Sequence, residues 1–283
     1  MTANSHLGPC RRALLVALLV TSCMPPSWGA RALLHPDRRP PNRQPARAFE
    51  VVQLQGAGVR LEGWRFRAEG PARRGTVIYL HGAGSNRGSS LSIADHFAPA
   101  GFDVLAYDSR AHGQSEGVAC TYGYYEKDDL LRVIDGALAR PIILIGTSLG
   151  AAVALQAAAN TQKVGAVISI ATFSDLRTVA RERAPFFASQ RNIEDAFKLA
   201  EAEAKFHVDE ASPLAAAPGI SAPVLIIHGA SDDETRPAHS QRVYDALRGP
   251  RRLIFVPGAG HNNALNDTVW RQIDEWLGAT LRS

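Results

Sequence analysis

From residue 76 onward, short apolar runs alternate with longer segments whose apolar positions recur at helical spacing. The runs at 76–80, 102–107, 141–145 and 164–171 are short and predominantly apolar, so they read as buried strands. Between them the pattern predicts helices near 91–100, at 126–139 and at 149–159. After an interruption it resumes with strands at 223–228 and 252–256 and helices at 237–248 and 266–280. An earlier pair, 50–55 and 59–67, is joined by Gly56-Ala57-Gly58 and predicts an antiparallel hairpin on the sheet edge. Strands alternating with helices place the chain in the α/β class: a mostly parallel central sheet with helices on both faces. The interruption, about 174–222, is polar, helical in pattern and without a strand. It predicts a short helical cap inserted after the sixth strand.

One junction carries chemistry. Ile142-Ile143-Leu144-Ile145 gives way through Gly146-Thr147-Ser148-Leu149-Gly150 to an alanine-rich helical segment. This is a strand, a sharp turn and a helix, with a serine at the turn. A serine hydroxyl is a poor nucleophile at neutral pH and needs a nearby base and oxyanion donors. The glycines on either side let strand and helix approach around a strained serine. Five-residue patterns of this kind also occur by chance in Gly- and Ser-rich chains; the strand and helix context is what gives this one weight.

The stretch resembles the nucleophile elbow of the α/β-hydrolase superfamily, and serine esterase and dienelactone-hydrolase-like members in particular. The resemblance covers approximately residues 50–280. It implies a Ser, acid, His order along the chain, with Ser148 as nucleophile. The acid is sought after the strand at 223–228, where His228-Gly229-Ala230-Ser231-Asp232-Asp233-Glu234-Thr235-Arg236-Pro237 resembles the family's acid loop. Counting forward from Gly229 selects Asp232, while counting back from Pro237 favours Asp233; we take Asp232. The loop also suits capping of a helix starting near Pro237. Of the histidines after this loop, His239 sits just inside a helix start and reads as a surface residue. His261 lies in the loop Pro257-Gly258-Ala259-Gly260-His261-Asn262-Asn263 and is taken as the base.

In the mechanism implied by the resemblance, His261 accepts the Ser148 proton and Asp232 fixes its tautomer. The backbone N–H of Leu149 serves as one oxyanion donor and that of Ala83, in His81-Gly82-Ala83-Gly84, as the other, with Gly84 as the fallback. The same glycines could cradle a phosphate, but there is neither GK[ST] nor GxGxxG. Asp108-Ser109-Arg110-Ala111-His112-Gly113-Gln114-Ser115 resembles a superfamily turn whose role is mainly architectural. His112 precedes the nucleophile and is left out of the site.

Composition sharpens the reading. A chain of 283 residues with 46% hydrophobic content can bury one large α/β core. Arg11-Arg12 precedes the apolar stretch 13–20, which is too short to span a bilayer, so residues 1–23 read as an export signal. Val20-Thr21-Ser22-Cys23 resembles a lipobox and would lipidate Cys23 into a membrane tether. Ser27-Trp28-Gly29 offers ordinary secretory cleavage instead. Either route implies an exported protein of the bacterial periplasm, cell envelope or medium, as a lipoprotein in the first case. Residues 24–48, rich in Pro and Arg, read as a disordered tether, and residues 49–283 as the hydrolase domain.

The leader carries +2 and the tether +4 against +4 for the whole chain, so residues 49–283 carry about −2. Nothing there favours nucleic acid. Cys120 is the only thiol beyond residue 23, which excludes an intramolecular disulfide in the mature domain. No HExxH, CxxC pair or clustered His spacing calls for a metal, and no cofactor is expected. Three function classes follow. The first is hydrolysis of small or medium carboxylic esters through an acyl-enzyme. The second is a serine peptidase, amidase or acyltransferase on the same scaffold. The third is a non-catalytic exported binding module. Phe186 and Phe187 in the cap are expected either to line the pocket or to pack the cap onto the body. Oligomeric state is not legible.

Overall fold

The computed structural model describes residues 25–136 and 139–281. The described residues form eight strands: β1 (Glu50–Gln55), β2 (Arg60–Phe66), β3 (Gly75–Leu80), β4 (Phe102–Tyr107), β5 (Ile142–Thr147), β6 (Val164–Ile170), β7 (Val224–Gly229) and β8 (Arg251–Val256). They form one sheet in the order β1-β2-β4-β3-β5-β6-β7-β8. The β1–β2 hairpin and the β2–β4 pair are antiparallel, and every other neighbour pair is parallel. The expected α/β class, hairpin edge and strand positions are all present.

Strands β3, β4 and β7 bury every residue, as strands covered on both faces must. Alternation along β3 divides the core in two. Ile78 and Leu80 face one side with Leu130, Leu144 and Val153; Val77 and Tyr79 face the other with Ile93, Val104 and Ile273.

The helices follow the same division. In chain order they are α1 (Pro26–Leu34), α2 (Leu91–Phe97), α3 (Glu126–Asp135), α4 (Leu149–Ala158), α5 (Leu176–Arg183), α6 (Gln190–Ala204), α7 (Pro213–Ala216), α8 (Ala238–Ala246) and α9 (Asp267–Thr280). Helices α3, α4 and α8 pack on the first side of the sheet, and α2 and α9 on the second.

Helices α5, α6 and α7 lie between β6 and β7. The Asp175 carboxylate caps α5 by accepting from Thr178 N–H at 2.7 Å, and Ser189 Oγ caps α6. Leu176, Val179, Phe197, Ala200, Phe206 and Val208 give these helices an apolar cluster of their own.

That cluster also contains Ala30 and Leu34, which corrects the reading of residues 24–48 as a disordered tether. Residues 26–34 are the helix α1, with Pro26 at its first position, where a missing N–H costs nothing. Gly29 lets α1 approach α6, since a Cβ there would lie 2.9 Å from Ala196 Cβ. Leu34 C=O accepts from Cys120 N–H at 2.8 Å, and His35 pairs with Glu203 at 2.6 Å. The Pro and Arg content signals disorder when averaged over 25 residues, but it hides a short amphipathic stretch with a surface to dock on.

Ser27-Trp28-Gly29 falls inside α1. Arg11, Arg12, the apolar stretch 13–20 and Cys23, on which export and lipidation rest, lie outside the described residues. Among the described residues no helix is long and apolar enough to cross a membrane.

Candidate active site

Ser148 stands between β5 and α4, as the N-cap of α4, with φ 52° and ψ −111°, a backbone conformation unusual for any residue with a Cβ. Two glycines make this turn possible. A Cβ on Gly146 would lie 2.3 Å from the Gly150 carbonyl group, and one on Gly150 would lie 2.1 Å from Leu80 O. Ser148 N–H donates to Ile170 O at 2.8 Å, and Ser148 C=O accepts from Ala152 N–H at 3.1 Å, so both sides of the turn are anchored.

Beyond the carboxyl ends of the strands lies a cavity of about 420 Å³, lined in part by Tyr79, Gly82, Ala83, Thr147, Ser148 and His261. This is where open α/β sheets bind ligands. Ser148 and His261 share the cavity without a hydrogen bond to each other. Such bonds are often loose until substrate is bound.

His261 is brought there by a close approach of two loops. Ala230 N–H donates to Val256 O at 2.9 Å and Ser231 N–H to Ala259 O at 2.8 Å. Gly229 permits the contact, because its Cβ would lie 2.4 Å from both Ala259 O and Gly260 O. His261 Nδ1–H then donates to Asp232 Oδ2 at 2.7 Å. The other carboxylate oxygen accepts from the N–H groups of Glu234 at 3.0 Å and Thr235 at 2.9 Å. Asp232 is buried and Asp233 exposed, so the structure brings His261 together with Asp232. Asp232 also uses its carboxylate to order its own loop, and the cap of α8 is Pro237, which has no side-chain acceptor.

Around this pair are residues that the sequence reading did not single out. His228 Nε2–H reaches Asp232 Oδ2 at 3.1 Å and Thr235 O at 2.8 Å, while its Nδ1 accepts from Ser240 Oγ at 2.6 Å. Burial lowers its pKa, keeping the ring neutral. Arg183, at the end of α5, donates from Nε to Glu234 O at 2.9 Å and also binds Thr235 Oγ1. The motif at 228–237 holds a sequence signal for His228 and Thr235, whereas nothing local marks Arg183.

The loop after β3 carries Ala83 to the same cavity, and Leu149 N–H, at the first position of α4, has no acceptor within its helix. Gly84, with φ 67°, is not on the cavity wall. His81 fixes this loop: Nδ1–H donates to Gly82 O at 2.7 Å and Nε2 accepts from Ser109 N–H at 3.0 Å. Burial, helped by neighbouring His112, holds the His81 pKa down at about 3.

His112 is buried away from the cavity and donates from Nδ1 to Arg110 O at 2.9 Å. Arg110 grips Asp129 through two hydrogen bonds of 2.7 Å. The turn at 108–115 therefore braces the fold.

Two expectations are corrected. His239 is fully buried rather than on the surface. Its Nδ1 accepts from Ser174 N–H at 3.0 Å, and its Nε2–H donates to Glu182 Oε2 at 3.1 Å, so it fastens α8 to the cap. A helix start seen in sequence does not say which face meets another element. Phe186 is fully exposed and Phe187 is 41% exposed. They touch each other, with ring centroids 5.3 Å apart, and neither lines the cavity. No group of three or more His, Cys, Asp or Glu among the described residues is arranged to hold a metal ion.

A sequence model of the alpha/beta hydrolase fold matches residues 75–199. An uncharacterized protein of Mycobacterium tuberculosis is 30% identical over 224 residues, spanning 77% of this chain and 74% of that protein. The chain belongs to the α/β-hydrolase family. YqkD of Bacillus subtilis, also uncharacterized, is 35% identical over 196 residues, covering 66% of this chain and 64% of YqkD. Among solved structures, the esterase Pf2001 of Pyrococcus furiosus superimposes with a TM-score of 0.71 at 23% identity, covering 87% of this chain and 99% of Pf2001. That likeness is one of fold.

Proposed function

We propose that this α/β hydrolase is a serine hydrolase that cleaves carboxylic esters of small or medium size through an acyl-enzyme. The observation that carries the reading is the 2.7 Å bond from His261 Nδ1–H to Asp232, made at the cavity into which the strained Ser148 turn opens. Pf2001, described as an esterase, supports the reading by analogy of fold.

With Nδ1 committed to Asp232, His261 Nε2 is the free base. It takes the Ser148 proton as Oγ attacks the ester carbonyl carbon, and Asp232 stabilises the imidazolium. The N–H groups of Leu149 and Ala83 receive the oxyanion. Collapse expels the alcohol, which takes the proton from His261. Water, activated by the same imidazole, then releases the acid and frees Ser148. His228 and Thr235 hold Asp232 in position throughout.

Ser148→Ala tests this directly. Its turnover of p-nitrophenyl acetate should fall on the order of 10⁴-fold or more, and labelling by a fluorophosphonate probe should disappear, with the circular dichroism spectrum unchanged. Hydrolysis surviving in the variant would overturn the assignment. A wild-type protein that is never labelled would point to a binding module.

A further inference from the structure

A second cavity, of about 400 Å³, lies between α1 and the cap. Trp28, Leu33, Val179, Ala180, Ile193 and Phe197 form much of its wall. The wall is apolar, in contrast to the catalytic cavity, where Ser85, Ser89, Ser92, Thr147 and Asn262 supply polar groups. The two spaces meet at Arg183, which lines both. Its guanidinium is fastened to Glu234 and Thr235 beside Asp232, so this partition is tied to the acid loop.

We propose that the cavity between α1 and the cap holds the hydrocarbon tail of an amphiphilic ester whose carbonyl carbon lies at Ser148. The inference rests on the serine-hydrolase reading and adds a substrate class to it. Three observations choose a hydrocarbon over other occupants. The wall offers few polar partners, so a polar ligand would lose its hydration without replacement. The space adjoins the cavity that holds the nucleophile, with the Arg183 side chain on the wall of both. Pro185 and Ala188, which flank exposed Phe186 and Phe187, lie on its wall, and Trp28 on the same wall is 63% exposed, giving an apolar approach from outside.

Two independent fillings of the cavity, Ala180→Phe and Ala188→Phe, test the assignment. Both positions line it and are only partly buried, so the added rings occupy the cavity rather than the core. The readout is the ratio of kcat/KM for p-nitrophenyl octanoate to that for p-nitrophenyl acetate, which should fall about tenfold in each, the effect of withdrawing roughly two methylenes from an apolar site. An unchanged ratio in both correctly melting variants would overturn the proposal.

A binding measurement separates this outcome from failure of the catalytic reading. Octanoate titrated into Ser148→Ala protein should change tryptophan emission, and the change should be lost when Trp28→Phe is added. An identical change with and without Trp28 would place the fatty acid elsewhere and also overturn the proposal. Ester hydrolysis that survives Ser148→Ala would sink the catalytic reading alone, because the titration does not depend on turnover.

Discussion

At Ser148 the backbone sits at φ 52°, a conformation that Gly146 and Gly150 permit by having no Cβ to collide with Gly150 and Leu80. Those three residues were legible in sequence because the constraint is local: a strand, a sharp turn and a helix within ten residues. The acid was less so. Counts from the two ends of the loop select different aspartates, Asp232 from Gly229 and Asp233 from Pro237, and the two part only when His261 arrives from a loop 29 positions away. Asp232→Asn should lower kcat on the order of 10⁴-fold, as a wrong imidazole tautomer does, while Asp233→Asn should stay near wild type. Steady-state hydrolysis of p-nitrophenyl acetate distinguishes them, and equal losses in both would undo the choice of Asp232. The position of His239 escapes the sequence for the same kind of reason. Its burial depends on Ser174 and Glu182, which are remote in sequence.

Strands and helices followed the apolar periodicity closely, because burial on one or both faces imposes spacings of two or about 3.6 that neighbouring residues reveal. The exception is α1, whose stability comes from docking on the cap, since an isolated helix this short is marginal in water. Gly29→Leu should therefore act on this element before any other. The side chain would meet Ala196, and overpacking of this kind costs about 1–3 kcal/mol. Hydrogen exchange should quicken at the amides of 26–34 while the sheet amides keep their protection. Unchanged exchange at 26–34 would show that the α1–α6 contact contributes little.

Across the whole molecule, burial lowers the pKa of His81, His112, His228 and His239, so each is kept neutral in the fold. An unfolded chain protonates histidine near its ordinary value of 6.5, whereas folded His81 resists until about pH 3. Below pH 6.5 the unfolded state binds more protons, so stability is full above that value and declines as pH falls toward 3. Protonating His81 would also remove the acceptor for Ser109 N–H and release the loop that carries Ala83. The melting temperature should fall from pH 7 to pH 4.5, and less steeply in His81→Gln. Parallel slopes in the two proteins would remove His81 as a source of the effect.

The sequence by itself determined the α/β class, the order of elements and the glycine-flanked turn at Ser148, all of which follow from short-range periodicity and turn chemistry. Only the tertiary structure decided that Asp232 meets His261, that His228 and Arg183 brace the acid loop, that His239 is buried, and that residues 26–34 form a helix closing a second cavity against the cap. Those outcomes depend on contacts between segments far apart in the chain, whose energies no local pattern encodes.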